Sequence, residues 1–301
     1  MTNNASTAPT LLVTGASGHL GRRVIELLLE RNAAHIVAAT RTPEKLADFA
    51  QRGVEVRYAD FDDPQSLTQA FAGVERVLLI STDAIDRPGR RIVQHTAAVK
   101  AAEAAGVRHV VYTSIANPTP QNPAFVVPDH SATEAALEAS TLGYTVLRNN
   151  IYMETLLSAI SQALQLGALY SAAGDGKAGY VTREDCAIVA AAALLAPFEG
   201  RRYLTVTGPT AVSQAEVAAL ATQLSGKAIA YVPITLDALI KNMVAAGLPE
   251  PVAAAYSSFD AAIAQGQLDG VTDVVETLGG HKPISVADFI TQHWTAVAQP
   301  Q

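Results

Sequence analysis

Three glycines spaced three apart, Gly15, Gly18 and Gly21, stand in the run Thr14-Gly15-Ala16-Ser17-Gly18-His19-Leu20-Gly21. An apolar stretch that reads as a strand precedes them, and an amphipathic helical pattern follows. In that setting Gly15 permits a tight turn, Gly18 lets the backbone come close to a ligand, and Gly21 lets helix and strand pack closely. The opening turn of the helix offers free N–H groups and the positive end of its dipole, a donor set suited to a pyrophosphate. Read this way, Gly15, Ala16, Ser17, Gly18, His19 and Leu20 form a phosphate cradle. The spacing of three and three departs from the commoner dinucleotide fingerprint, whose glycines stand two and then three apart.

The end of the second strand decides which dinucleotide fits. An NAD site places Asp or Glu there to accept hydrogen bonds from ribose hydroxyls. This chain reads Ala38-Ala39-Thr40-Arg41 instead, with no acid. A guanidinium pairs with a 2′-phosphate in a fork and lies flat against adenine, where a carboxylate would repel the phosphate. Arg41 therefore points to NADP(H), with Lys45 as a helper. Asp60 and Phe61, after the third strand, are expected to border the adenine, and Ser81 and Thr82, after the fourth, the nicotinamide side. Phe61 reads equally well as core.

A proton relay is harder to find. The usual short-chain dehydrogenase pair is Tyr-x-x-x-Lys, and none of the nine tyrosines has Lys four residues later. No lysine at all lies between Lys100 and Lys177, and where the pair would stand the chain reads His130-Ser131-Ala132-Thr133-Glu134. Hydride delivered to a simple ketone makes a basic alkoxide that needs a poised acid. Hydride delivered to a quinone makes a phenolate-like anion, whose conjugate acid has a pKa of about 10, like tyrosine. The expected acceptor is thus an electron-poor conjugated molecule, and catalysis is chiefly positioning.

The elements that must hold these residues alternate along the first half of the chain. Strands are expected at Leu11–Thr14, His35–Thr40, Val54–Ala59, Arg76–Ile80, His109–Thr113 and Tyr144–Leu147. Helices are expected at His19–Arg31, Pro43–Gln51, Pro64–Phe71, Arg90–Ala105 and His130–Leu142, with a loop over Asn117–Pro128. The first five strands are near-continuous apolar runs, as when both sheet faces are covered. The fold class that follows is α/β: a doubly wound parallel Rossmann sheet with ligands at the carboxyl ends of its strands. After Arg148 the texture turns helical: Tyr152–Leu166, Glu184–Leu195, Gln214–Leu224, Leu236–Ala246, Pro251–Gln265 and Val286–Trp294, with a returning strand at Arg202–Val206. The domain reading is an NADP-binding domain over 1–150, rejoined by 183–207. A smaller, mainly helical substrate lobe takes 151–182 and 208–301.

Taken together, these segments resemble the NmrA-like atypical short-chain dehydrogenases. Within that group they look closest to the type 2 NAD(P)H:quinone oxidoreductases, with the triphenylmethane reductases nearby. The resemblance runs from Leu11 over almost the whole chain and rests on TGASGHLG (14–21), RTPEK (41–45) and YADFDDPQSL (58–67). GVERVLLIST (73–82), QHTAAVKAAEAAGVRHVVYTS (94–114), HSATE (130–134), YTVLRNNIY (144–152), AAGDGK (172–177) and VTREDCA (181–187) continue it. It implies NADPH contacts from Gly15 to Leu20, Arg41, Ser81, Thr82 and the Asn149–Tyr152 turn. It also implies a quinone-sized pocket between the lobes. Tyr152 is the candidate for orienting the acceptor, with Asn149 or Asn150 offering amide donors to a carbonyl oxygen. In the family, the residue after the Arg-Asn pair is often Gly and the next an aromatic; here they are Asn150 and Ile151.

Other residues read more plainly. His130 and Glu134, one helical turn apart, suit a helix-start role better than that of an acid and its partner. Arg87, Arg90 and Arg91 read as a solvated loop and helix start, Asp175 and Lys177 as turn chemistry, and Trp294 as core. The seven histidines show no metal-ligand spacing, and Cys186 has no companion, so no metal site is expected. A net charge of −7 argues against a nucleic-acid surface. No apolar run reaches the roughly 20 residues that span a bilayer, and the polar start MTNNASTAPT is no secretory signal. One cysteine fits a reducing cytoplasm. The leading expectation is an NADPH-dependent reductase of quinones or similar acceptors, with a homodimer left open. The alternatives are a triarylmethane or azo dye reductase, and a non-enzymatic NADP(H)-sensing regulator.

Overall fold

A computed structural model of the chain describes residues 8–298, so residues 1–7 of the polar N-terminal stretch lie outside the described residues. Seven strands form the main sheet: β1 (Thr10–Val13), β2 (His35–Thr40), β3 (Glu55–Tyr58), β4 (Arg76–Leu79), β5 (His109–Ile115), β6 (Gly143–Asn149) and β9 (Arg201–Val206). Their order is β3-β2-β1-β4-β5-β6-β9. The pairs β1–β2, β1–β4, β2–β3 and β4–β5 are parallel, with Leu12 opposite Val37 on one side and Val77 on the other. The order reverses between β1 and β4, and such a reversal opens a crevice at the carboxyl ends of the strands. The doubly wound α/β class is the observed one.

Helices α1 (His19–Glu30), α2 (Ala47–Ala50), α3 (Pro64–Phe71), α4 (Arg90–Ala104), α5 (Val127–Ala139) and α7 (Arg183–Leu195) accompany these strands. Helix α1 buries Val24, Ile25, Leu27 and Leu28 and stops where Asn32 takes a left-handed φ of 54°. Helix α3 starts where expected because the Asp63 carboxylate accepts from the N–H groups of Gln65 and Ser66, with Pro64 in the first turn. The helix expected over Pro43–Gln51 divides into a 3-10 turn, Pro43–Leu46, and the short α2. Helix α5 begins three residues before the expected start, with Pro128 in its first turn, where a missing N–H costs nothing. Strands β1, β4 and β5 are buried throughout or nearly so. Strand β3 is not: it lies at the sheet edge, Tyr58 is half exposed, and Arg57 pairs with Glu55 along it. Charge on an edge strand discourages pairing with another chain.

The chain divides into two compact units. The first holds the residues up to Ser114, Asp129–Leu147 and Cys186–Leu204. Its core gathers Leu12, Val37, Leu67, Phe71, Val77, Leu79, Val110 and Tyr112. The second holds Ile115–Pro128, Arg148–Asp185 and the residues from Thr205 onward, so the segment 115–128, expected in the first domain, groups with the second.

The second unit is built on α6 (Glu154–Leu166), α8 (Gln214–Ser225), α9 (Leu236–Ala245), α10 (Glu250–Ala264), α11 (Val274–Thr277) and α12 (Val286–Ala298). It is less purely helical than expected. Strand β7 (Ala168–Ser171) pairs in parallel with β11 (Ala230–Pro233), and β8 (Lys177–Ala178) runs antiparallel to β10 (Val212–Ser213). These strands are two to four residues long, too short to show alternation. Met153, Ile160, Tyr180, Val217, Phe289 and Ile290 are buried in this unit's core, and Trp294 packs against it.

Candidate cofactor and substrate site

The turn after β1 carries the strongest geometry. Gly15 adopts φ 58°, and the N–H of Gly18 donates to its carbonyl at 3.0 Å. The N–H of Ala16 donates to the carbonyl of Ala39 on β2 at 3.2 Å, which ties the turn to the sheet. A Cβ on Gly21 would lie 2.4 Å from the Gly15 oxygen and 2.9 Å from the Ala16 Cα, so any side chain here forces the turn and helix apart. A Cβ on Gly18 would meet only the Gly15 oxygen, at 3.3 Å, and open space otherwise. Gly18 is the N-cap of α1, no side chain caps the helix, and its first turn holds no acid. The opening N–H groups therefore remain for an anion. Gly15, Gly18 and His19 are exposed, Ser17 and Leu20 half-buried, and Ala16 buried.

At the end of β2, Thr40 joins the two expected halves of the site. Its Oγ1 lies 2.9 Å from Ser17 Oγ and accepts from the N–H of Thr42 at 3.2 Å. Arg41 is exposed and makes no ion pair among the described residues. Its neighbour Arg22 is engaged otherwise, pairing with Asp48 and lying 4.6 Å over the Phe49 ring. Among these cations Arg41 is the one left available to a phosphate. After β3, Asp60 Oδ1 accepts from the N–H of Asp62 at 3.0 Å, and Phe61 packs on the first unit's core with its ring edge to His95.

After β4, three successive N–H groups donate to side chains. Ile80 donates to Thr14 Oγ1 at 2.9 Å, Ser81 to Thr113 Oγ1 at 2.9 Å, and Thr82 to His95 Nε2 at 3.0 Å. The Thr82 hydroxyl donates to Gln94 Oε1 at 2.6 Å. Gln94 and His95, which open the segment 94–114, were not expected at the site. Their signal was the helical period of α4, which sets both on the stripe with buried Ala98, Val99 and Ala102.

Arg91 needs correction, and its neighbour His130 is as deeply buried. His130 is buried, with Tyr112 Oη 2.8 Å from Nδ1 and Arg91 Nη2 3.3 Å from Nε2. Arginine only donates, so Nε2 accepts and Nδ1 carries the hydrogen. Burial and then the Arg91 charge push its pKa well below the ordinary value. His130 is thus held neutral inside the fold. Glu134 Oε1 accepts from Ser114 Oγ at 2.7 Å. Arg91, expected in solvent, is buried and paired with Asp129 at 3.3 Å.

In the second unit, Asn149 Nδ2 donates to the Tyr152 hydroxyl at 3.3 Å, and Asn149 Oδ1 is buried without a hydrogen-bond partner. The Arg183 guanidinium lies 5.4 Å over the Tyr152 ring. Asn150 is otherwise occupied: Nδ2 donates to the Leu268 carbonyl at 2.9 Å, and Oδ1 accepts from the N–H of Ile151 at 2.8 Å. One of the two Nδ2 hydrogens thus anchors Asn150 to a distant segment. Among the described residues no group of His, Cys, Asp or Glu could hold a metal, and no helix is long and apolar enough to cross a membrane.

A family model described as NAD(P)H-binding matches residues 15–197, more than half of the chain. The chain belongs to this NAD(P)H-binding family. It is 35% identical to quinone oxidoreductase 2 of Escherichia coli K12 over 283 residues, which span 93% of this chain and 97% of that one. Among solved structures, the NADPH-dependent quinone oxidoreductase of Escherichia coli complexed with NADPH superposes with a TM-score of 0.90 at 34% identity. That match covers 95% of this chain and all of that one. The Citrobacter triphenylmethane reductase complexed with NADP(H) gives a TM-score of 0.88 at 33% identity, covering 94% and 99% of the two chains.

Proposed function

We propose that the protein is an NADPH-dependent reductase of quinones or similar electron-poor conjugated acceptors, working in the cytoplasm. The observation that carries this reading is the 35% identity to a quinone oxidoreductase along nearly the full length of both chains. The donor set fits the cofactor: free N–H groups at the start of α1, a backbone bared at Gly18, and an unengaged guanidinium at Arg41 where no acid stands. When bound, NADPH supplies the hydride. The chain's own residues bind and orient. The α1 N–H groups hold the pyrophosphate, Arg41 with Lys45 grips the 2′-phosphate, and Asp60 and Phe61 border the adenine. Ser81, Thr82 and Asn149 hold the nicotinamide side. Tyr152, held by Asn149, orients the acceptor, and no Tyr-x-x-x-Lys relay is needed where the product anion is as weakly basic as a phenolate.

Triarylmethane dyes form a second reading, favoured by the likeness to the Citrobacter reductase. A cationic dye carbon that takes hydride needs no proton at all. The test follows NADPH absorbance with benzoquinone, a naphthoquinone and a triarylmethane dye. Quinone turnover well above dye turnover supports the first reading, and the reverse order supports the second. Tight NADPH binding with turnover of none would leave a cofactor-sensing role.

A further inference from the structure

Residues 81–82 and the turn after β3 are joined by two consecutive residues of α4. Gln94 accepts the Thr82 hydroxyl hydrogen at 2.6 Å and, through Nε2, donates to Asp62 Oδ1 at 3.0 Å. Asp62 is itself gripped by Arg90, which also reaches Asp86 at 2.8 Å. That grip holds the Asp62 carboxyl at about 2, so it stays an acceptor. The orientation of the Gln94 amide follows, because only its oxygen can face a donating hydroxyl while its nitrogen faces a carboxylate. His95 takes the N–H of the same Thr82 at 3.0 Å, so its Nε2 accepts. Its Nδ1 then carries the hydrogen and donates to Thr133 Oγ1 at 3.0 Å, and Thr133 in turn donates to the Asp129 carbonyl at 2.7 Å. The His95 and Phe61 rings also stand nearly perpendicular, with centroids 6.4 Å apart.

We propose that Gln94 and His95 are positioning residues for the dinucleotide, a strut that fixes Thr82 against the Asp60–Asp62 turn. The inference rests on the NADP(H) reading above. The Thr82 hydroxyl reaches Gln94 Oε1 at 2.6 Å and lies 3.3 Å from His95 Nε2, so both residues bear on the same side chain. Remove the Gln94 amide, and the Thr82 hydroxyl keeps only the longer contact to His95 Nε2 while its tie to Asp62 is lost.

The experiment is a double-mutant cycle on the full chain with Thr82→Val, Gln94→Leu and the pair together. NADPH dissociation constants come from fluorescence titration, and melting midpoints are taken without cofactor. His95→Phe, which keeps a ring against Phe61 and deletes the acceptor, is measured alongside. If Gln94 acts through Thr82, each single variant weakens NADPH roughly five- to tenfold, about one hydrogen bond's worth. The double variant then falls no further than the weaker-binding single, and His95→Phe weakens NADPH by a similar factor. Fully additive losses would overturn the proposal, as would wild-type affinity in Gln94→Leu and His95→Phe. If the wild-type chain itself binds no NADPH, the cofactor reading falls and the strut with it. The wild-type control separates that result from failure of the strut alone.

Discussion

Gly18 and Gly21 differ in what surrounds them, and substituting each with alanine separates the fold from the cofactor. At Gly21 the added Cβ would sit 2.4 Å from the Gly15 carbonyl and 2.9 Å from the Ala16 Cα, both backbone. To reach an ordinary contact of 3.4 Å, the start of α1 must move off the turn by about 1 Å. Overpacking of that kind costs about 1–3 kcal/mol, and it also shifts the N–H groups that hold the pyrophosphate. At Gly18 the Cβ meets one oxygen at 3.3 Å and φ is −82°, which any residue adopts. The only intrinsic cost is exchange of Gly for Ala at an N-cap, roughly 0.5 kcal/mol. The new methyl then projects into space that the reading assigns to the pyrophosphate. Gly21→Ala should lower the melting midpoint by several degrees and weaken NADPH. Gly18→Ala should melt within a degree or two of wild type and still weaken NADPH by about tenfold or more, a change of roughly 1.4 kcal/mol. Differential scanning fluorimetry and fluorescence titration give the two readouts. A Gly18→Ala variant with wild-type affinity would refute the assignment of that space, and a Gly21→Ala variant with wild-type melting would refute the packing argument.

Arg41→Ala should weaken NADPH roughly 10- to 100-fold, the loss of charge-assisted hydrogen bonds, and leave NADH nearly unchanged; equal losses in paired titrations would remove Arg41 as the 2′-phosphate determinant. Tyr152→Phe should lower quinone turnover by about tenfold while NADPH affinity stays near wild type, since the hydroxyl meets Asn149 and its ring remains under Arg183; a collapse of affinity would make Tyr152 a cofactor or folding residue. Burial pushes the His95 and His109 pKa values down to about 3, below their unfolded value of about 6.5. The unfolded chain therefore binds more protons between these values, and stability present above pH 6.5 is lost as pH falls toward 3. The buried His130, pushed down in the same way, adds to this loss, while the Asp129 and Asp260 carboxyls, raised by burial, oppose it; urea melts at pH 7 and pH 5 should therefore show the lower midpoint at pH 5. Equal midpoints at the two pH values would contradict the histidines' buried neutral state.

The parts of the molecule that local pattern governs were legible in the residues. Glycine spacing, the Arg41 register and the buried apolar runs of β1, β4 and β5 each report on a few neighbours in sequence. What escaped depends on partners far along the chain. Asn150 reads as a free amide until Leu268, 118 residues away, takes its hydrogen. Arg91 reads as a surface charge until Asp129 and His130 close over it. Gln94 and His95 look like polar interruptions of an alanine-rich helix, because the Thr82 they hold reaches them only through the fold. The edge position of β3 was hidden for the same reason, since strand order is not written in any one strand.

The most direct test of the central claim is a calorimetric titration of the purified 301-residue chain with NADPH and, separately, with NADH. The cradle at Gly15–Gly21 and the free guanidinium at Arg41 predict saturable binding of one NADPH per chain, at least tenfold tighter than NADH, a difference of about 1.4 kcal/mol. Heat of dilution alone for both nucleotides would contradict the account.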